Sequence, residues 1–287
     1  MFKITASLFL FLSAAFALCP ACSAPAQSAA NPPGYDLTSP VRYKMPDELL
    51  EISGIDFNNG NTDIFYAEQD EAGKLFYGNP ATKTWHSYTF GPKGDYEDVA
   101  ICNGRVVLLR SDGTLFSFPL DVVQGKSGAA ARESAGLLPK GEYEGLSAAG
   151  EDNRLAVLCK QCKTDKEGIT GYFFRLSPDG SLSADGNFHI PAAEVEKRSG
   201  GKKSALRPSA LALHPLTGEW YILSSVNKLL IVADPQFRVK GVYPFKRSGF
   251  NQPEGMAFDR EGNLYISNEG SKSEPGNILM FTYRKPS

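Results

Sequence analysis

Residues 254–266 read Glu254-Gly-Met-Ala257, then Phe258-Asp-Arg-Glu-Gly-Asn263, then Leu264-Tyr-Ile266. A polar residue, a short one, an aliphatic one and a second short one lead into a turn, and the turn leads into an apolar strand. The same order recurs at Ser53-Gly-Ile-Asp56, Glu97-Asp-Val-Ala100, Glu144-Gly-Leu-Ser147 and Ser209-Ala-Leu-Ala212, so that the five segments are spaced by 44, 47, 65 and 45 residues. Turn residues follow the first four at Asn58-Asn-Gly60, Asn103-Gly104, Gly150-Glu-Asp-Asn153 and His214-Pro-Leu-Thr-Gly218. Apolar second strands then run over Ile64 to Ala67, Val106 to Leu109, Leu155 to Leu158 and Trp220 to Leu223. Third strands are expected at Lys74 to Tyr77, Thr114 to Phe118, Tyr172 to Leu176, Lys228 to Val232 and Asn277 to Phe281, and fourth strands at Trp85 to Phe90 and Arg238 to Tyr243.

Four antiparallel strands in a unit of about 45 residues make the blade of a β-propeller. Five units predict an all-β, five-bladed β-propeller, with six blades as the alternative; a β-sandwich would not repeat one four-residue pattern five times. The last unit ends at its third strand. The spare stretch Val41 to Met45 is therefore expected to supply the missing outer strand and close the ring, which leaves no aggregation-prone edge. Gly, Ala and Ser recur in the first strands because those strands crowd the axis. The extra length before Ser209 falls at Cys162 to Gly168 and Pro191 to Leu206, and the charged run Glu196 to Lys203 reads as a solvated loop.

With 287 residues, 42% hydrophobic and 22% charged, the chain can bury a substantial core. A net charge of −2 gives no global electrostatic case for a nucleic-acid partner. Met-Phe-Lys followed by the apolar run Ile4 to Leu18 is too short to span a bilayer and reads as a signal peptide over residues 1–22. Ala24 and Ala26 fit ordinary cleavage, whereas Cys22 fits a lipoprotein-type signal, whose lipid would be the sole membrane contact. A flexible linker over 23–40 and a single propeller over 41–287 follow. The expected location is outside the cytoplasm: the periplasm, or the envelope of a bacterium. Cys159-Lys-Gln-Cys162 is a lone C-x-x-C without the second pair or nearby histidines of a zinc site. It reads as a structural disulfide or inert thiols, with a bridge to Cys102 as the alternative.

Equivalent positions of a propeller converge on its axis. Glu97, Glu144 and Glu254, with Ser53 and Ser209, lead the five motifs, and residues two earlier share their face: Glu51, Asp95, Glu142, Arg207 and Gln252. Second-strand ends add Asp70, Glu71, Lys160 and Glu269. Carboxylates confined together repel, and three remedies exist: a bound cation, raised pKa values, or pairing with Lys160 and Arg207. An all-oxygen set would favour calcium or magnesium over zinc. Glu97, Glu144 and Glu254 are the candidate metal ligands; Glu51, Asp70, Glu71, Lys160, Arg207 and Glu269 are the candidate ligand-binding residues. Equally, each glutamate could accept backbone N–H bonds and pin blade to blade.

Glu51-Ile-Ser-Gly-Ile55, Gln69-Asp-Glu71, Gly94-Asp-Tyr-Glu97, Tyr143-Glu-Gly-Leu146, Lys160, Gln252-Pro-Glu-Gly255 and Asn268-Glu269 together resemble the SdiA-regulated (YjiK-like) family of exported bacterial propellers. Asp98 stands where that family more often has Gly. The resemblance implies a periplasmic or membrane-associated propeller with axial carboxylates and a calcium ion among them, and no established activity. The expected function is a binding module for a divalent cation and an unidentified small ligand. The alternatives are a calcium-dependent hydrolase of lactone or phosphate ester type, and a scaffold for an envelope protein.

Overall fold

The structure is a computed structural model and describes Met1 and residues 31–286, except 126–129, 151–152, 164–166, 202–204 and 246–248. The expected signal peptide, Cys22 and the first part of the linker lie outside the described residues.

After β1 (Val41–Lys44) come five four-stranded antiparallel sheets. Blade 1 holds β2 (Ile52–Asn58), β3 (Asn61–Gln69), β4 (Lys74–Asn79) and β5 (Thr84–Thr89). Blade 2 holds β6 (Tyr96–Cys102), β7 (Arg105–Arg110), β8 (Leu115–Pro119) and β9 (Arg132–Ser134). Blade 3 holds β10 (Gly141–Ala148), β11 (Arg154–Cys162), β12 (Gly168–Leu176) and β13 (Leu182–Pro191), followed by the helix α1 (Ala192–Arg198). Blade 4 holds β14 (Ala210–Leu213), β15 (Trp220–Ser224), β16 (Leu229–Ala233) and β17 (Val239–Pro244). Blade 5 holds β18 (Pro253–Phe258), β19 (Leu264–Asn268) and β20 (Asn277–Phe281). Its fourth strand is β1, paired from Val41↔Met280 to Lys44↔Asn277. The first strands are neighbours in ring order, β2 to β6, β10, β14, β18 and back to β2. Five blades and closure by the N-terminal strand agree with expectation; the six-bladed alternative is set aside.

Each hydrophobic cluster lies between two adjacent blades, and strand alternation divides the side chains between them. Along β15, Trp220 and Ile222 face blade 3 whereas Tyr221 and Leu223 face blade 5. Along β7, Val106 and Leu108 join blade 1, and Val107 and Leu109 join blade 3. Burial on both faces explains why the second strands read as unbroken apolar runs. At two glycines of the first strands there is no room for a side chain. A Cβ on Gly255 would stand 2.3 Å from the Ser53 carbonyl oxygen, and one on Gly54 would stand 2.6 Å from the Asp98 Cα.

Two expectations change. The linker is docked in its second half: Tyr35 and Leu37 are buried in the cluster between blades 4 and 5, and the Tyr35 hydroxyl donates to the Gly262 carbonyl at 2.5 Å. Two large apolar side chains in a polar stretch were enough to anchor it. The run expected as a loop from Glu196 to Lys203 begins as the last turn of α1, whose Val195 is buried. No helix among the described residues is long and apolar enough to cross a membrane.

Candidate functional site

First strands begin at one end of the axis, and second strands finish there. Glu97, Glu144 and Glu254 therefore enter near the starts of β6, β10 and β18, and Glu51 immediately precedes β2. Asp70 and Glu71 follow β3, Lys160 lies near the end of β11, Glu269 follows β19, and Arg207 lies ahead of β14. All nine predicted residues gather around this one mouth.

Lys160 is its electrostatic centre. Its ammonium pairs with Glu144, which is only 6% exposed, and lies 3.3 Å from a carboxylate oxygen of Glu142. Arg207 Nη1 donates to the Lys160 carbonyl at 3.2 Å. Four of the remaining carboxyls have raised pKa values, through burial first and neighbouring charge second. Burial, followed by the charge of Asp95, pushes Glu97 up to about 8, while Lys160 acts the other way and Glu254 adds to the rise. Burial and then Glu51, Glu71 and Asp95 push Asp70 up to about 6. Burial and then Glu254, Asp70 and Glu51 push Glu269 up to about 7, although Gln252 Nε2 donates to it at 2.5 Å. Glu254 is raised as well, mainly by burial. Two of the three expected remedies, pairing and raised pKa values, are thus in use.

The blade-pinning expected of the glutamates falls to other residues. Asp56 accepts from its neighbour Phe57 N at 2.8 Å and from Ile101 N of blade 2 at 2.6 Å. Asp98 repeats the device one blade on, accepting from Val99 N at 2.8 Å and Leu146 N of blade 3 at 2.7 Å. Asp98 fills the space that Gly54 leaves. Between blades 5 and 1, Ser267 Oγ donates to the Ser53 carbonyl at 2.5 Å and accepts from Gly255 N at 2.7 Å. Below the mouth Glu68 is fully buried; one oxygen accepts from Gly54 N at 2.6 Å and the other has no partner. Burial raises Glu68 well above the usual carboxylate range, and Asp98, Glu97 and Asp70 raise it further. Sequence reasoning missed Glu68 because it stands between the apolar run Ile64 to Ala67 and the Gln69-Asp-Glu71 motif and was read with neither.

A second missed signal was present in the sequence: Pro92-Lys-Gly-Asp-Tyr-Glu97 recurs as Pro139-Lys-Gly-Glu-Tyr-Glu144. Both tyrosines are fully buried, and each hydroxyl donates to the carbonyl of the proline four residues back, at 3.0 Å and 2.7 Å. Their N–H groups bond to the preceding blade, Tyr96 to the Asp70 carbonyl and Tyr143 to the Ser111 carbonyl. This corner fixes the approach of the acidic residues on either side of it. The histidine of the fourth turn is likewise structural: His214 Nδ1 accepts from Leu216 N and Thr217 N.

Cys159 and Cys162 form the disulfide, and Cys102 is a buried free thiol, so the bridge to Cys102 is excluded. The opposite end of the axis opens into a cavity of about 430 Å³ lined by the far ends of all five first strands, among them Asp56, Ile101, Ser147, Ala212 and Met256.

Among the described residues no three His, Cys, Asp or Glu side chains are arranged to hold a metal. Of Glu97, Glu144 and Glu254, the second is already paired with the Lys160 ammonium, and a cation beside that ammonium would be repelled by it.

The SdiA-regulated family model matches residues 186–275. The matched segment contains Gln252-Pro-Glu-Gly255 and Asn268-Glu269, and the five-bladed propeller is consistent with the resemblance read from the sequence. No curated protein matches the chain in sequence. Among solved structures, glutaminyl cyclase from Myxococcus xanthus is 16% identical with a TM-score of 0.56, over 85% of this chain and 95% of that one. Regucalcin from Agrobacterium tumefaciens, described as a calcium-binding protein, is 12% identical with a TM-score of 0.50, over 85% and 94%. A luciferin-regenerating enzyme is 13% identical with a TM-score of 0.51, over 85% and 95%. At these identities the likeness is one of fold.

Proposed function

We propose that the chain is an exported binding module whose acidic mouth takes a small ligand bearing positive charge, such as an organic amine. One observation carries the reading: carboxyls from several blades crowd one mouth around the paired Lys160, and Glu97 and Glu269 are pushed up to about 8 and about 7. A cationic ligand would relieve their repulsion and bring those values down. Asp70 Oδ1, buried and without a partner at the same mouth, supplies a waiting acceptor.

Titration calorimetry with spermidine, putrescine and calcium chloride in separate arms tests this. Amine binding that weakens with salt, and by about tenfold or more in a Glu97→Gln, Glu254→Gln variant, is the expected result. Calcium is the divalent candidate for the same mouth, and a calcium response without an amine response would transfer the reading to the metal. Silence in all arms removes it.

The hydrolase reading draws on one observation, a Glu97 carboxyl held at about 8 and so able to donate a proton at neutral pH. Lactone and phosphate-ester turnover lost in Glu97→Gln would favour it over simple binding; no turnover on either class would discard it.

A further inference from the structure

We infer that the Cys159–Cys162 disulfide is a thiol-exchange site that sets the position of Lys160 and, through it, the charge of the acidic mouth. Its consequence for ligand rests on the binding reading above.

Residues three apart on a regular strand lie about 10 Å apart and project to opposite faces, so a disulfide cannot join them. Cys159 and Cys162 are 6.1 Å apart at Cα, within the span a disulfide needs. The ladder between β10 and β11 shows where the length goes. Glu142 pairs with Gln161 and Tyr143 with Cys159, which passes over Lys160; Gly145 then pairs with Leu158, which passes over Glu144. The two residues displaced from the ladder are the two partners of the ion pair. A bulge re-aims the side chain it displaces, and here it points Lys160 at Glu144 and Glu142. The disulfide ties off this bulge, with Lys160 inside its four-residue ring. The facing strand accommodates the sulfur: a Cβ on Gly141 would stand 2.6 Å from Cys162 Sγ.

Cys162 is half-buried whereas Cys159 is buried, so an external thiol meets the Cys162 sulfur first. Its thiolate attacks that sulfur, the S–S bond breaks, and Cys159 leaves as a thiolate that takes up a proton. A second external thiol attacks its counterpart in the mixed disulfide and frees Cys162 as a thiol. The balance is two external thiols oxidised to one external disulfide, and one protein disulfide reduced to two thiols. Without the bond, the strand end is free to resume ordinary alternation, and Lys160 turns away from Glu142 and Glu144. The mouth loses its central positive charge and becomes a stronger site for a cation.

Two readouts on the full chain, oxidised and glutathione- or dithiothreitol-reduced, test this. The first is acetylation of Lys160 by an amine-reactive ester, quantified by peptide mass spectrometry with the other lysines as internal controls. The paired amine should react slowly in the oxidised protein and severalfold faster after reduction, and equally fast in a Cys159→Ser, Cys162→Ser variant. The second is spermidine affinity, expected to rise by about tenfold on reduction. If the double variant does not fold, oxidised and reduced wild type carry the comparison. Unchanged Lys160 labelling, or a bond that thiols cannot reduce in the folded protein, overturns the inference. Faster labelling with no spermidine binding in either form upholds the coupling and overturns the binding reading instead.

Discussion

Asp98 shows how one side chain can hold two blades. Its two oxygens accept N–H groups from its own strand and from β10, in a space that exists because position 54 is glycine. The carboxyl is only 2% exposed, and burial, opposed by those two backbone bonds, raises its pKa. Replacing it with alanine leaves the Leu146 N–H buried and unanswered. Asp98→Ala should lower unfolding free energy by about 2–3 kcal/mol, measured by urea unfolding; a loss within error would show that water takes over the bond. The neighbouring Glu97 does the opposite work, facing the mouth, where burial and the charge of Asp95 raise its pKa more than Lys160 lowers it. Adjacent acidic residues of one motif thus divide into a structural one and a site one. The sequence singles out Glu97 by the repeated pattern and leaves Asp98 without a role; the register shift at Glu97 in β6, once the axis is placed, separates them.

At the scale of elements, the first strands of blades 5 and 1 meet at Gly255 with no room for a side chain. Gly255 faces the backbone of Ser53 and Gly54, and backbone cannot swing aside as a side chain can. Gly255→Ala should therefore cost about 3 kcal/mol or abolish folding, read as a drop in urea midpoint; Gly104→Ala, at a turn where a Cβ meets nothing within 4 Å, is a control for added bulk, with strain from its φ of 70° alone. Closure by β1 joins residues more than two hundred apart in sequence through four ladder pairs. Removing residues 31–45 exposes β20 as an open edge, and the expected outcome is self-association seen by light scattering. A truncated chain that stays monomeric at full stability would contradict the assigned role of β1.

For the whole molecule, the acidic mouth makes stability depend on pH. Folded-state values of about 6 for Asp70, 7 for Glu269 and 8 for Glu97 lie above their ordinary values of 3.8, 4.5 and 4.5. The folded protein binds these protons more tightly than the unfolded chain, so their contribution is whole below the ordinary values and is lost as pH rises through the folded ones. Urea midpoints should fall between pH 5 and pH 9, and Glu97→Gln should flatten the upper end of that decline; a midpoint that climbs over this range would mean the carboxyls are ionised and paired. The sequence by itself determined the number of blades, the strand that closes them and the set of residues at the mouth, because a repeated pattern of short and apolar residues admits one way of burying both faces of each strand. Only the tertiary structure decided how those residues divide their labour. It gave Lys160 to Glu144 through a disulfide-held bulge, assigned the pinning of blades to Asp56 and Asp98, and buried Glu68 beneath them. Charge pairing and proton affinity depend on distances across blades, and those exist only once the ring has closed.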